Sequence, residues 1–199
     1  MFILGLTGSI GMGKSVTAGI FARCGIAVHD ADAAVHRLYG GEAAVAIAAA
    51  FPGIVTEGVV DRAALGARVL EDPAAMAKLE SIVHPLVHKS QLAFLAAAHG
   101  RGDQIVVLDI PLLLETDASD RVDAVVVVSA PLAVQRTRVL ARPGMSAAKL
   151  DAILLKQMPD VEKRRRAHFV VDSSRGVDSV ERQVCGILRA VAGLPGRRN

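Results

Sequence analysis

The chain has 199 residues, 52% of them apolar, only 3% aromatic, and a formal net charge of +3. That length suits one domain with a modest insertion and a sizeable core, and the apolar content excludes an intrinsically disordered chain. Scarce aromatics argue against stacking-based single-strand nucleic-acid binding, the small charge is a weak attraction for a polyanion, and no run approaches the ~18 apolar residues of a membrane span.

Residues Met1–Leu6 read as a short buried strand. They lack a charged leader and run directly into Gly8-Ser9-Ile10-Gly11-Met12-Gly13-Lys14-Ser15, so they are not read as a signal peptide. The octapeptide fits G-x-x-x-x-G-K-S/T between a strand and a helix over Val16–Arg23 that Gly25 can stop. Gly8, Gly11 and Gly13 let the backbone curl closely around a phosphate chain, with the N–H groups of residues such as Met12 and Val16 aimed inward. The helix N-terminus adds partial positive charge. Lys14 would reach the β- and γ-phosphates, and the Ser15 hydroxyl would ligate Mg²⁺. Val16 stands where many such loops carry a second hydroxyl residue. A Gly-rich turn alone would not need strand, lysine, hydroxyl and helix in register, so ATP is the expected nucleotide; the loop leaves the reaction open.

Gly25–Val28 reads as a second strand ending in His29-Asp30-Ala31-Asp32. A helical crossover implies parallel strands with a right-handed connection, and ligands collect at the carboxyl ends of such strands. Asp30 and Asp32 are therefore expected on the rim that carries the phosphate loop. From Ala33 to Gly100 the chain is Ala-rich and helical in pattern, with starts at Asp61 and Asp72-Pro73, turns at Gly40-Gly41 and Phe51-Pro52-Gly53, and a break at Ser81–Pro85 before Leu86–His99 resumes. No strand is predicted there.

The α/β pattern returns with a strand over Gln104–Asp109, and then Val122–Val128, the most β-prone run, is expected to be central. A helix over Pro131–Ala141, a second capped by Ser146 and running to Met158, a strand over His168–Asp172, a closing helix over Val177–Ala192 and a frayed tail from Gly193 complete the chain. The fold class expected is α/β: a P-loop NTPase-type parallel β-sheet of about five strands flanked by helices, with an α-helical insertion and a lid. Residues 1–32 and 101–199 would form the core, with a lid at about 139–165, and residues 33–100 the insertion.

Asp32 fits two roles, a carboxylate that orients an acceptor hydroxyl and takes its proton, or the N-cap of the following helix. Asp109 ends an apolar strand as a Mg²⁺-holding Walker-B carboxylate does. Pro111, Leu112 and the residues to Glu115 are unusually apolar for an active-site loop and suit a substrate wall that Glu115 closes. Arg138 and Arg142 are spaced to share a helix face with Arg136 turned away, before a Pro-Gly turn suited to a mobile lid over phosphates. His84 and His88 have i,i+4 spacing, but no third ligand makes a zinc site. Lys163–Arg166 is read as a solvated helix face, with a lid contact to phosphate as the alternative, and Cys24 and Cys185 as reduced core thiols.

Leu6–Ser15, Asp30-Ala31-Asp32, His84-Pro85-Leu86-Val87, Pro111–Glu115, Gln135–Arg138, Arg142–Ser146 and Gln157-Met158-Pro159, in this order over nearly the whole chain, resemble the dephospho-CoA kinase family. The resemblance implies transfer of the ATP γ-phosphoryl group to the ribose 3′-hydroxyl of dephospho-CoA, the last step of CoA synthesis. It implies Asp32 as the acceptor-activating carboxylate, Gly11–Val16 as the ATP loop, Arg142 as a lid arginine on the nucleotide, Thr7 and His84 lining the site, and the helical insert as the acceptor-binding part. The chain departs from the family pattern at Val16, where Thr is usual, and at Asp172-Ser173-Ser174, where an Asn-containing turn is common near the adenine. The partners expected are ATP with Mg²⁺ and dephospho-CoA, with no nucleic acid or membrane, in a cytoplasmic monomer. The rivals are another small P-loop kinase, with a nucleoside, nucleotide or shikimate-like acceptor, and a nucleotide-dependent switch, for which no N-K-x-D guanine motif is present.

Overall fold

The computed structural model describes residues 1–70, 72–116 and 118–196. In chain order it forms β1 (Phe2–Thr7), α1 (Lys14–Arg23), β2 (Ala27–Asp30), α2 (Ala31–Tyr39), α3 (Glu42–Ala50), β3 (Val55–Thr56), β4 (Val59–Val60), α4 (Arg62–Val69) and α5 (Pro73–Arg101). There follow β5 (Ile105–Asp109), β6 (Ala124–Ser129), α6 (Leu132–Leu140), α7 (Ala147–Lys156), α8 (Asp160–Arg165), β7 (Phe169–Asp172) and α9 (Val177–Val191). Contacts divide the chain into two compact units, Met1–His29 with the chain from Ala98 on, and Asp30–Ala97.

The first unit is a five-stranded parallel sheet in the order β2-β5-β1-β6-β7 with helices around it. Leu4 of β1 pairs with Val107 of β5 and with Ala124 of β6, so β1 holds the middle place. The valine run of β6 is interior, between β1 and β7, but not the centre. Both β1 and β6 are buried along their whole length, which is why neither shows the alternation of a half-exposed strand. Leu4, Leu6, Ile20, Phe21, Val126 and Val128 form a core closed by α9, whose Val180, Val184, Ile187 and Val191 recur at helical spacing on one face. Full burial of such a side chain stabilises by about 1.5–3 kcal/mol.

The helical unit departs from expectation twice. Val55–Thr56 and Val59–Val60 pair as an antiparallel hairpin, although no strand was expected in this span. Glu57 and Gly58 both have positive φ, 51° and 78°, the geometry of a type I′ turn between β-branched residues, and Val55 and Val60 pack against the core of Ile47, Phe51 and Leu65. Strands this short leave no alternation to read. The second departure is α5, a single 29-residue helix with Pro85 inside it rather than two helices. Pro85 has no N–H for the Ser81 carbonyl, a loss usually costing about 3 kcal/mol. Leu79 and Val83 before it and Leu86 and Val87 after it pack into one core, and tertiary burial outweighs the local break. The helix starts do match: Asp61 accepts from Ala63 N and Ala64 N, and Asp72 from Ala74 N and Ala75 N.

Three smaller readings also change. The α7 helix ends at Lys156, with its Ser146 cap accepting from Lys149 N. Cys24 is exposed and Cys185 half-buried, both as free thiols, so Cys24 is no core thiol; burial pushes it up and neighbouring Cys185 adds to the shift. Lys163 is not on a solvated face: it is fully buried, while Arg164, Arg165 and Arg166 are exposed. Of the tail, residues 197–199 lie outside the described residues. Among the described residues no helix is long and apolar enough to cross a membrane.

Candidate active site

Chain direction and glycine build the phosphate loop. β1 ends at Thr7 and the chain must turn at once into α1, which begins at Lys14. Gly11 (φ 76°) and Gly13 (φ 91°) take left-handed conformations that L side chains resist. A Cβ on Gly11 would overlap Val139 of α6, and one on Gly13 would come within 3.1 Å of Ser173. Gly13 is the N-cap of α1 with no side chain to cap it, and the first turn carries no acid. The leading N–H groups of α1 therefore lack intrahelical acceptors and a capping oxygen, a terminus whose chemistry suits an anion.

The loop is held from outside. Gln135 Nε2 donates to Ile10 O (2.7 Å), Ile10 N donates to Gln157 Oε1 (3.1 Å), and Ser173 Oγ donates to Met12 O (2.7 Å). Arg138 donates from both terminal nitrogens to Ser173, at 2.8 Å to Oγ and 2.8 Å to the carbonyl. Gln135 and Ser173 are themselves buried, so the shape of the loop is set by packing before a ligand arrives.

Lys14 Nζ meets Asp109 Oδ1 at 2.7 Å, where β5 ends. Asp109 is almost wholly buried and Lys14 mostly so, which strengthens the pair relative to one in water. Ser15 and Val16 are exposed on the first turn of α1, and Gly8 is buried behind them. Thr7 is buried and its hydroxyl donates to Pro111 O at 2.9 Å, tying the strand to the segment after β5. Leu112 is exposed, and Glu115 turns inward: its Oε1 accepts from Met158 N (3.0 Å) and lies 2.7 Å from Lys163 Nζ. Lys163 Nζ, Glu115 Oε2 and Asp160 Oδ1 are buried without a well-angled hydrogen bond, so the Lys163–Glu115 approach is an ion pair rather than a directed bond. A cavity of about 600 Å³ opens beside the loop, lined by Ser9, Met12, Gln135, Asp160, Arg164 and Asp172 among others. Hydrogen bonds from Ser174 hold the Asp172 carboxyl below its usual range, with smaller help from Arg175 and Arg164.

The arginines divide. Arg138 sits against the loop as described, Arg136 pairs with Asp151 at 2.8 Å, and Arg142 is exposed. The α6 helix ends at Leu140, so Arg142 lies past its end, donating its own N–H to Val139 O, and Arg138 and Arg142 do not share a regular helix face.

In the helical unit, Asp32 follows two residues after the end of β2. The N-cap of α2 is Asp30, whose carboxylate accepts from Ala33 N at 2.9 Å, and Asp32 is exposed in the first turn. The capping role considered for Asp32 is thus filled by its neighbour. Asp32 lines a cavity of this unit; His84 is exposed on α5 and does not line it.

Four residues that hold the site carried little signal as functional groups: Gln157, Ser173, Lys163 and Gln135 act through backbone carbonyls, an amide and a buried carboxylate far away in sequence. The run from Gln135 to Arg138 and the turn at Gln157-Met158-Pro159 hinted at two of them through their order in the chain, Ser173 stood out only as part of a departure from the family pattern, and Lys163 only as one of four basic residues.

The family model described as dephospho-CoA kinase matches residues 2–179. The dephospho-CoA kinase of Mesorhizobium japonicum is 58% identical over 196 residues, covering 98% of this chain and 100% of that protein. The dephospho-CoA kinase of Bradyrhizobium diazoefficiens is 59% identical over 198 residues, covering 100% of both. Among solved structures, a Thermus thermophilus protein shares the fold with a TM-score of 0.84 at 34% identity, over 98% of each chain.

Proposed function

The chain belongs to the dephospho-CoA kinase family and phosphorylates the ribose 3′-hydroxyl of dephospho-CoA from ATP, and we propose the following division of that work among its residues. The loop from Gly8 to Val16 holds the ATP phosphates through backbone N–H groups, and Lys14 offsets charge on the β- and γ-phosphates. Asp32 orients the acceptor hydroxyl and takes its proton as the new P–O bond forms, while the bond to the β-phosphate oxygen breaks and leaves ADP. The unit Asp30–Ala97 binds the acceptor, with His84 at its edge; Pro111, Leu112 and Glu115 with Thr7 shape the wall beside the loop. Arg142 closes on the nucleotide from the lid, and Arg138 stiffens the loop through Ser173.

A hard divalent cation suits the oxygen donors present, the exposed Ser15 hydroxyl and the Asp109 carboxylate at the end of β5. Mg²⁺ is usually held by one or two protein oxygens plus phosphate and water, and this pair matches that pattern. When bound it would neutralise phosphate charge. Lys14 now pairs with Asp109, so nucleotide binding would draw the ammonium towards phosphate.

The observation that carries this reading is the uncapped α1 terminus with Lys14 fixed beside Asp109. The test is ADP release with and without dephospho-CoA, followed by product mass. The expected result is acceptor stimulation with a gain of one phosphate; phosphorylation of a nucleoside with dephospho-CoA inert, or slow hydrolysis that no acceptor stimulates, would overturn it. Asp32→Asn should retain ATP binding and lose turnover by about 10²–10⁴-fold; near-normal turnover would remove Asp32 as the base.

A further inference from the structure

Cys24 and Cys185 are the two cysteines of the chain, far apart in sequence and side by side in the fold. Helices α1 and α9 pack directly on one another, and Ile20 and Phe21 of α1 share a core with Val180, Val184 and Ile187 of α9. Cys24 follows Ile20 by one helical turn, so it continues the face of α1 that meets α9. Cys185 sits at the margin of the buried stripe of α9, next to Val184 and one turn before the partly buried Leu188. The two thiols meet there through a side-chain hydrogen bond.

Packing does not account for this pair. Cys24 is exposed and Cys185 half-buried, so neither fills the core as a small hydrophobe would. Cys24 is nevertheless held in place: its N–H donates to Ile20 O at 3.0 Å and to Phe21 O at 3.1 Å, closing the last turn of α1. Gly25 then takes a left-handed conformation, φ 81°, and leads the chain away towards β2, with open space where its Cβ would be. One thiol is thus fixed beside another with room for a reagent to approach. Burial, Cys185 and Glu181 favour the protonated form of Cys24 and Arg23 opposes them, so attack by Cys24 should quicken as pH rises above neutral.

We propose that Cys24 and Cys185 are a redox-active dithiol, which a small-molecule disulfide converts into an intramolecular disulfide that clamps the end of α1 to α9. The Cys24 thiolate, its proton given to water, attacks one sulfur of the reagent; the reagent's S–S bond breaks and its first half leaves as a thiolate that takes up a proton. The Cys185 thiolate, likewise deprotonated by water, attacks Sγ of Cys24, the mixed disulfide breaks, and the second half leaves as a thiol. Two protein thiols are oxidised by two electrons, and one external disulfide is reduced to two thiols. Exposure sets the order, with Cys24 attacking first and the half-buried Cys185 resolving. The link closes a loop over most of the chain, the case in which stabilisation through chain entropy is largest. It lies at the far end of the 10-residue helix α1 from Lys14, about 15 Å away, so it holds the fold without entering the site.

The test treats the full chain with oxidised glutathione at mildly alkaline pH and reads intact mass, free thiols, non-reducing peptide maps and melting temperature. The unaltered protein should lose two hydrogens in mass and both free thiols, and give a peptide cross-linked between Cys24 and Cys185. It should melt about 4–16 °C higher until dithiothreitol reverses the change. Cys185→Ser should stop at a glutathione adduct on Cys24, and Cys24→Ser should form no internal link and react far more slowly. A glutathione adduct on the unaltered protein that never resolves, a disulfide between two copies of the chain, or an internal disulfide that leaves the melting temperature where it was would each overturn the proposal. Turnover with ATP and dephospho-CoA should be the same before and after oxidation; its loss would overturn the clamp in favour of a link that distorts the site.

Discussion

Replacing Lys163 with Met removes a charge from a side chain with no solvent exposure while keeping most of its volume. Glu115, 14% exposed, would lose the ammonium 2.7 Å from its Oε1, and its Oε2 already lacks a hydrogen-bond partner among the described residues. Breaking a buried pair from one side typically costs about 3–5 kcal/mol, because the remaining charge is left without compensation. The slight exposure of Glu115 and the N–H it still accepts from Met158 favour the lower end, about 3 kcal/mol. At about 2–4 °C per kcal/mol for a chain of this size, the melting temperature should fall by roughly 6–12 °C. The double variant Lys163→Met, Glu115→Met removes both charges and should cost only about 1 kcal/mol, chiefly from the Met158 N–H that loses its acceptor. Urea unfolding followed by far-UV circular dichroism measures both, with the slope m expected to stay constant. A single variant within about 1 kcal/mol of the unaltered protein, or a double variant as unstable as the single, would refute the buried-pair reasoning.

Ser173→Ala removes one hydroxyl that both donates to Met12 O and accepts from Arg138, so the loop loses one of its braces while those from Gln135 and Gln157 stay. KM for ATP should rise about three- to tenfold, from one or two hydrogen bonds, with KM for dephospho-CoA little changed; kinetics at saturating acceptor decides it. Asp172 gives a pH dependence of known sign. Its folded-state pKa is lowered, first by the Ser174 hydrogen bonds, so its contribution is fully present above the unfolded value of about 4 and is lost as pH falls through the folded value. Because its side chain is 43% exposed, the contribution is under about 1 kcal/mol. Asp172→Asn should therefore be slightly less stable than the unaltered protein at pH 6 and indistinguishable from it near pH 2; a gap that widens on acidification would contradict this.

Much of the conformation of the loop was legible because its requirements are local. A loop that must turn at once from strand to helix and leave N–H groups open needs Gly11, Gly13, Lys14 and Ser15 at consecutive or near-consecutive positions, and chain order alone displays that. The parallel sheet was legible for a similar reason: β1, β5 and β6 are buried on both faces, so each is a continuous apolar run. Asp32 could be singled out but not separated from a cap, since an acid at a helix start looks the same in either role; Asp30 filling the cap is a matter of backbone geometry.

What could not be read depends on groups distant in sequence meeting in space. Lys163 stands in a run of four basic residues, and nothing local distinguishes the one that turns inward to Glu115, 48 residues earlier, from the three that face water. Pro85 is a helix breaker by its own chemistry, and only a core touching both sides of it carries α5 through. Sequence by itself determined the backbone form of the glycine-rich loop and the class of the sheet, because backbone conformation and burial act over a few residues. Tertiary structure decided which polar side chains brace that loop, which charge is buried, and which arginine faces a cavity, because long-range packing selects among side chains that look equivalent along the chain.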